Sequence, residues 1–228
     1  MENRLKTIKD RISKAAERCG RDPGSIRLVA VSKTMPADRV REGIEAGITI
    51  LGENYMQEAR EKIAELSAYP VSWHFIGHLQ SNKAKYAVKL FDLIHSVDSL
   101  KLARELDKQA AKINKKQDIL VQVNIGEEAS KSGAYTDEVK SIISDISQLE
   151  NLSVRGLMTI PPFFNSPEKV RPYFSALKDL GDQIREEALP NVKMDELSMG
   201  MTGDFEAAIE EGATLVRIGT AIFGKRDA

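Results

Sequence analysis

"RLVAVSKTMPADRVREGIEAG", residues 27–47, carries the fold in one unit. Residues 28–31 form an apolar run too short for a helix, bounded by polar residues, and so read as a buried strand. Pro36 presets the backbone angle of a first helical turn. Val40 and Ile44 then fall one helical turn apart on one face, and Gly47 ends the element. A buried strand leading directly into an amphipathic helix is half of a parallel crossover unit.

The same alternation recurs along the chain. Apolar runs follow at 49–51, 71–76, 93–97, 118–125 ("DILVQVNI"), 154–160, 194–199 and 213–218. The intervening stretches have helical stripes. Met56, Ala59, Ile63 and Leu66 form one, and a helix is expected over 82–90. Asp98 or Ser99 caps a stripe of Leu102, Leu106, Ala110 and Ile113. From Thr136 the stripe is Val139, Ile142, Ile143 and Ile146. Ser166-Pro167 opens one of Val170, Phe174, Leu177 and Ile184, and a helix over 204–211 ends at Gly212. Eight strand–helix repeats predict an α/β fold, a TIM (β/α)8-type barrel. An open doubly wound sheet alternates in the same way and is the competing architecture. Ahead of the repeats, Leu5, Ile8, Ile12, Ala15 and Cys19 lie on one face of a helix stopped by Gly20. The expectation is a single domain over 1–228, with an extra N-terminal helix over 1–20 and the barrel over 26–224.

The 228 residues carry a net charge of −1, which argues against nucleic acid as a partner. One cysteine, Cys19, permits no internal disulfide and fits a reducing compartment. The charged start has no signal-peptide core, and no apolar run approaches membrane-spanning length. The expected location is the cytoplasm, without membrane association and as a monomer.

In a barrel of this kind, functional groups gather at the C-terminal ends of the strands, and phosphate sites favour the loops after strands seven and eight. The loop after strand seven is "SMGMTGD", in which Ser198 and Thr202 offer hydroxyls and Gly200 and Gly203 allow close backbone approach. After strand eight, "RIGTAIFG" offers Gly219 and Thr220. Lys33 ends strand one, the neighbour of strand eight in a closed barrel. An amine facing an anion cradle suits a phosphorylated aldehyde, since a desolvated lysine forms a Schiff base readily. Pyridoxal 5'-phosphate asks for these features and for a group opposite its ring nitrogen. Arg217 is the candidate for that group. A guanidinium only donates, so the ring nitrogen stays unprotonated and carbanion chemistry is disfavoured.

"AVSKT", "GENYMQEA", "WHFIGHLQSNK", "GLMTI", "LSMGMTGDFEAAI" and "VRIGTAIFG" together resemble the pyridoxal phosphate homeostasis proteins, or proline synthase co-transcribed homologues. The resemblance runs over about residues 28–224. It implies a barrel similar to the N-terminal domain of alanine racemase, with pyridoxal phosphate joined to Lys33. It implies Ser198, Thr202, Gly219 and Thr220 at the phosphate, Arg217 at the pyridine nitrogen and Asn54 near the cofactor. Thr202 stands where many relatives have serine, with the hydroxyl retained. His74 and His78 match a family motif without an assigned role. The implied function is holding, buffering or delivering the cofactor, with no turnover reaction and no catalytic residue, and with pyridoxal phosphate-dependent apoenzymes as further partners. The alternative is a pyridoxal phosphate-dependent racemase or lyase. Against it, the sequence ends four residues after "IFG", leaving no room for the second domain of alanine racemase, which supplies a tyrosine acid/base.

Plainer readings exist for each residue. Lys33 is a snorkelling strand-end lysine, Arg217 an ion-pair partner of Glu196, and Ser198 and Thr202 are helix caps. His74 and His78 straddle a Gly77 turn and share no helix face, so no metal site is expected. His95 reads as a satisfied interior residue, and Trp73, Met158, Met194, Met199 and Met201 as packing. Lys131 and the lysines of "KINKKQD" read as solvated.

Overall fold

Eight parallel strands pair in chain order and the last returns to the first, so the sheet is a closed barrel and not an open one. The computed structural model describes residues 1–128, 131–164 and 166–224. The strands are β1 (Arg27–Val31), β2 (Ile50–Glu53), β3 (Ser72–Phe75), β4 (Leu93–Val97), β5 (Gln117–Val123), β6 (Leu152–Thr159), β7 (Val192–Ser198) and β8 (Leu215–Ile218). Between them run α2 (Ala37–Glu45), α3 (Met56–Glu65), α4 (Ala84–Leu90), α5 (Leu100–Ala111), α6 (Val139–Ile146), α7 (Pro167–Glu186) and α8 (Phe205–Glu210), preceded by α1 (Glu2–Arg18) and followed by α9 (Thr220–Phe223).

Two cores hold the barrel. The larger lies between strands and helices, where each helix buries its apolar stripe against the outer sheet face. Leu5, Ile8 and Ile12 of α1 join it, each contributing ~1.5–3 kcal/mol of burial. The smaller core is the barrel interior: Val29, Leu93, Leu120, Met158 and Leu215, with Ile50 against them. Side chains alternate along a strand, so residues two positions further point inward at the next level. That places His95 above Leu93 and Arg217 above Leu215, and the interior turns from apolar to polar toward the C-terminal ends.

Several boundaries differ from the expectation. β2 continues through Gly52 to Glu53, because the polar Glu53 finds buried partners there. The helix foreseen over 82–90 divides into a 3-10 turn over Ser81–Lys83 and α4. Ser99, not Asp98, caps α5 through the Leu102 N–H. Ile113 falls past the end of that helix and is exposed, as is Cys19, whose place on the buried face of α1 is taken by Ala16. Lys115 is half-buried: its Nζ donates to the carbonyls of Val88 and Phe91 at the end of α4, a helix-end contact rather than a solvated charge. Trp73, Met158, Met194 and Met199 are buried as packing residues, whereas Met201 is exposed at the barrel mouth.

Candidate functional site

A cavity of about 150 Å³ opens at the C-terminal ends of β1 and β8, lined by Lys33, Thr202, Arg217, Gly219 and Thr220. Val31, Met35, Met201 and Phe223 supply its apolar walls. The closure of β8 onto β1 creates this meeting, since Ala30 and Ile218 are register partners. Five of the seven residues singled out from sequence therefore share one cavity.

The turn carrying Lys33 is held from below by charged groups. Ser32 Oγ donates to Glu53 Oε1 at 2.6 Å, and Lys62 Nζ donates both to the Ser32 carbonyl at 2.6 Å and to Glu53 Oε1 at 2.8 Å. Glu58 pairs with Lys62 at 2.5 Å and accepts the Thr34 N–H at 2.5 Å. Burial raises the Glu53 carboxyl above its usual range, and Lys62 pulls it back. Thr34 itself sits at φ 64°, a left-handed conformation that costs a β-branched residue free energy.

The loop after β7 is folded by Asp204, whose Oδ1 accepts the Met201 N–H at 2.6 Å. Gly200 makes this possible: its φ is +88° and a Cβ there would lie 2.6 Å from that of Ala208. Gly219 lets β8 pass β1 closely, a Cβ there meeting the Val31 carbonyl at 3.1 Å.

Arg217 is buried at the inner wall. Its Nη1 donates to Ser198 Oγ at 2.6 Å and its Nη2 to the Thr159 carbonyl at 2.8 Å. Burial pushes its guanidinium down to about 10, with Asp204 pulling upward, so it stays charged at neutral pH. It does not pair with Glu196, which faces Arg27 and Thr214 instead.

Two residues stand outside the cavity lining. The Ser198 hydroxyl, expected at a phosphate, is fully buried in the barrel interior and bonded to Arg217 and to His95 Nδ1 at 2.8 Å. It is the last residue of an inward-facing strand, one level below the loop. Asn54 lines a neighbouring cavity of about 460 Å³ with Tyr55, Arg60, His78 and Tyr86, and its buried Oδ1 has no hydrogen-bond partner among the described residues. His78 is exposed and reaches Ser132 Oγ and Asp98, while His74 is buried against His95. Among the described residues no cluster of His, Cys, Asp and Glu is arranged to hold a metal. Lys131 Nζ donates to the Pro161 carbonyl and pairs with Glu128. Glu53, Glu58 and Lys62 were not singled out beforehand, although the first two lie in "GENYMQEA"; the charged residues inside a buried pattern were the available signal.

The donor set fits pyridoxal phosphate. One primary amine, two hydroxyls, a glycine backbone and a charged guanidinium surround one small cavity.

The profile of the alanine racemase N-terminal domain matches residues 4–227. A pyridoxal phosphate homeostasis protein of Aquifex aeolicus is 47% identical over 223 residues, covering 98% of this chain and 97% of the relative. Among solved structures, PipY of Synechococcus elongatus with pyridoxal phosphate bound superposes with a TM-score of 0.83 at 37% identity, covering 95% of this chain and all of that one. Alanine racemase of Clostridium difficile shares the fold at 17% identity and TM-score 0.75, with only 58% of its chain covered. The chain accordingly belongs to the pyridoxal phosphate homeostasis protein family, within the wider alanine racemase N-terminal domain family.

Proposed function

We propose that this chain is a one-domain carrier of pyridoxal 5'-phosphate, bound covalently through Lys33. The observation that carries the reading is the convergence of Lys33, Thr202, Gly219, Thr220 and Arg217 on one cavity, in a family whose members include one solved with the cofactor bound. The cofactor's aldehyde supplies a reversible condensation with a primary amine, with loss of one water. Lys33 provides that amine. Thr202, Gly219 and Thr220 grip the phosphate by hydroxyl and backbone donors. Arg217 donates toward the pyridine nitrogen, and Ser198 serves the site through Arg217. Asn54 flanks the ring.

The role is storage and delivery rather than turnover. Arg217 donates a hydrogen bond while keeping its own proton, so the ring nitrogen stays unprotonated, which weakens electron withdrawal from any attached amino acid. The carrier works in the cytoplasm as a monomer and hands its load to apoenzymes. No helix among the described residues is long and apolar enough to cross a membrane.

The test is borohydride reduction of the loaded protein followed by intact mass. Wild type gains one reduced cofactor and loses its visible absorbance band. Lys33→Ala gains none; a retained reducible adduct in that variant overturns the assignment. Fast, saturable exchange of an amino acid's α-hydrogen with deuterated solvent replaces the carrier reading with racemase or lyase chemistry.

A further inference from the structure

Behind Arg217 a chain of buried polar side chains crosses the barrel. Ser198 Oγ lies 2.6 Å from Arg217 Nη1 and 2.8 Å from His95 Nδ1, and His95 Nε2 lies 3.0 Å from His74 Nδ1. All four residues are buried, and they come from β8, β7, β4 and β3. Arg217 lines the cavity at the mouth. His74 lines a second cavity of about 190 Å³ at the N-terminal ends of the strands, with Arg27, Asp92 and Arg155. The chain therefore spans the interior from one end to the other.

Its hydrogen-bond directions follow from one fact. A guanidinium donates and never accepts. Ser198 Oγ must accept from Arg217, so its single hydrogen goes to His95 Nδ1. Accepting there, neutral His95 carries its hydrogen on Nε2 and donates it to His74 Nδ1. His74 then holds its own hydrogen on Nε2. Every link points the same way, away from the cofactor cavity, and aligned bonds of this kind reinforce one another in a low-dielectric interior. Burial keeps both imidazoles neutral, His74 near 4 and His95 well below the ordinary histidine range. A proton on His95 Nδ1 would reverse the link to Ser198 and set a second cation beside Arg217.

We propose that His95 is a positioning residue for the ring-nitrogen contact: with His74 behind it, it aligns Ser198 so that Arg217 is anchored on its inner side and presents its remaining donors to the cavity. The proposal rests on the reading that Arg217 faces the pyridine nitrogen. Ser198 alone cannot supply this alignment, because its hydroxyl rotates freely unless an acceptor fixes the hydrogen.

The experiment compares pyridoxal phosphate with the analogue whose ring nitrogen is replaced by C–H. Each is titrated into wild type, Arg217→Leu, His95→Leu and His95→Asn, with dissociation constants read from absorbance. Asparagine keeps an acceptor oxygen near the Nδ1 position. His95→Leu should weaken pyridoxal phosphate by ~tenfold, the loss of one buried hydrogen-bond anchor, and leave the analogue's affinity unchanged. His95→Asn should restore most of the loss. Equal weakening of both ligands by His95→Leu overturns the positioning role, as does unchanged affinity for both. If His95→Leu does not fold, His95→Asn decides: a small weakening confined to pyridoxal phosphate supports the proposal, and equal weakening of both ligands overturns it. If Arg217→Leu itself fails to discriminate between the ligands, the ring-nitrogen reading falls instead, and the two failures are told apart.

Discussion

Two buried cations flank the cavity, and they are held in opposite ways. Lys62 lies beneath the Lys33 turn with a carboxylate on each side: Glu53 at 2.8 Å and Glu58 at 2.5 Å. Arg217 lies across the mouth with neutral oxygens as its hydrogen-bond partners among the described residues, Ser198 Oγ and the Thr159 carbonyl, and with the Asp204 carboxylate acting on it through space. The first charge is neutralised where it stands and acts as a brace. The second is hydrogen-bonded to dipoles alone, and it lines the cavity. One buried cation thus braces the turn, and the other lines the cavity, where the proposed ring-nitrogen contact would draw on its spare donors.

The sharpest way to break this contrast is to remove each cation. Lys62→Met leaves Glu53, which has no exposure, as an uncompensated buried carboxylate, and should cost ~3–5 kcal/mol in urea unfolding. Arg217→Met strands only neutral groups and should cost less, ~1–3 kcal/mol. Adding Glu53→Gln to Lys62→Met should recover part of the first loss. Equal costs for the two single variants would erase the distinction between a cation paired with carboxylates and one held by dipoles.

Acid separates the two regions by sign. His74 is held near 4 against an ordinary 6.5, so between those values the unfolded chain takes a proton that the folded chain refuses. Stability contributed by the neutral ring is complete above pH 6.5 and falls by about 3 kcal/mol as pH drops to 4; His95 acts in the same direction. Glu53 acts oppositely, because its folded carboxyl is raised and binds its proton before the unfolded one does. Urea midpoints measured from pH 7 to 4 should therefore decline in wild type, and decline less in His74→Gln. An equal decline in wild type and His74→Gln would mean the His74 imidazole is not held neutral by burial.

What the sequence disclosed, and what it withheld, divides along the same line. Strand and helix periodicity is local, so all eight β–α units were legible, as were Lys33 and Arg217 at strand ends. The glycine loops after β7 and β8 were legible because the fold assigns those places a task. Ser198, expected at the phosphate, faces the interior one level below the loop. Whether a hydroxyl at the end of a strand faces the loop or the interior depends on register, and Ser198 stands level with Leu215 through the pairing of β7 with β8. The interior chain was invisible for a related reason: positions 74, 95, 198 and 217 meet only across the closed sheet. Lys62 was hidden within an amphipathic helix, where a lysine between Ala59 and Ile63 ordinarily turns to water. Its burial depends on Glu53, a residue that the apolar run at 49–51 appeared to exclude from β2.

The smallest effect tests the charged side alone. Thr34 is held at φ 64° by a Glu58 carboxylate on its N–H, while its own hydroxyl donates to the Lys33 carbonyl at 2.6 Å. Left-handed backbone costs a β-branched residue ~1–2 kcal/mol, and asparagine tolerates it better. Thr34→Asn keeps the backbone donor for Glu58 and should gain ~0.5–1 kcal/mol in thermal unfolding, with the yield of Lys33 adduct unchanged. A gain in stability with a lower adduct yield would show that the strained threonine, and not the Lys62 brace, sets the reach of Lys33. A loss of stability would mean the hydroxyl's bond to the Lys33 carbonyl outweighs the strain. In either case the comparison between the two sides would have to be redrawn around Thr34, since the neutral side has no residue held against its own backbone preference at the corresponding place: Gly219, which follows β8, has φ −115°.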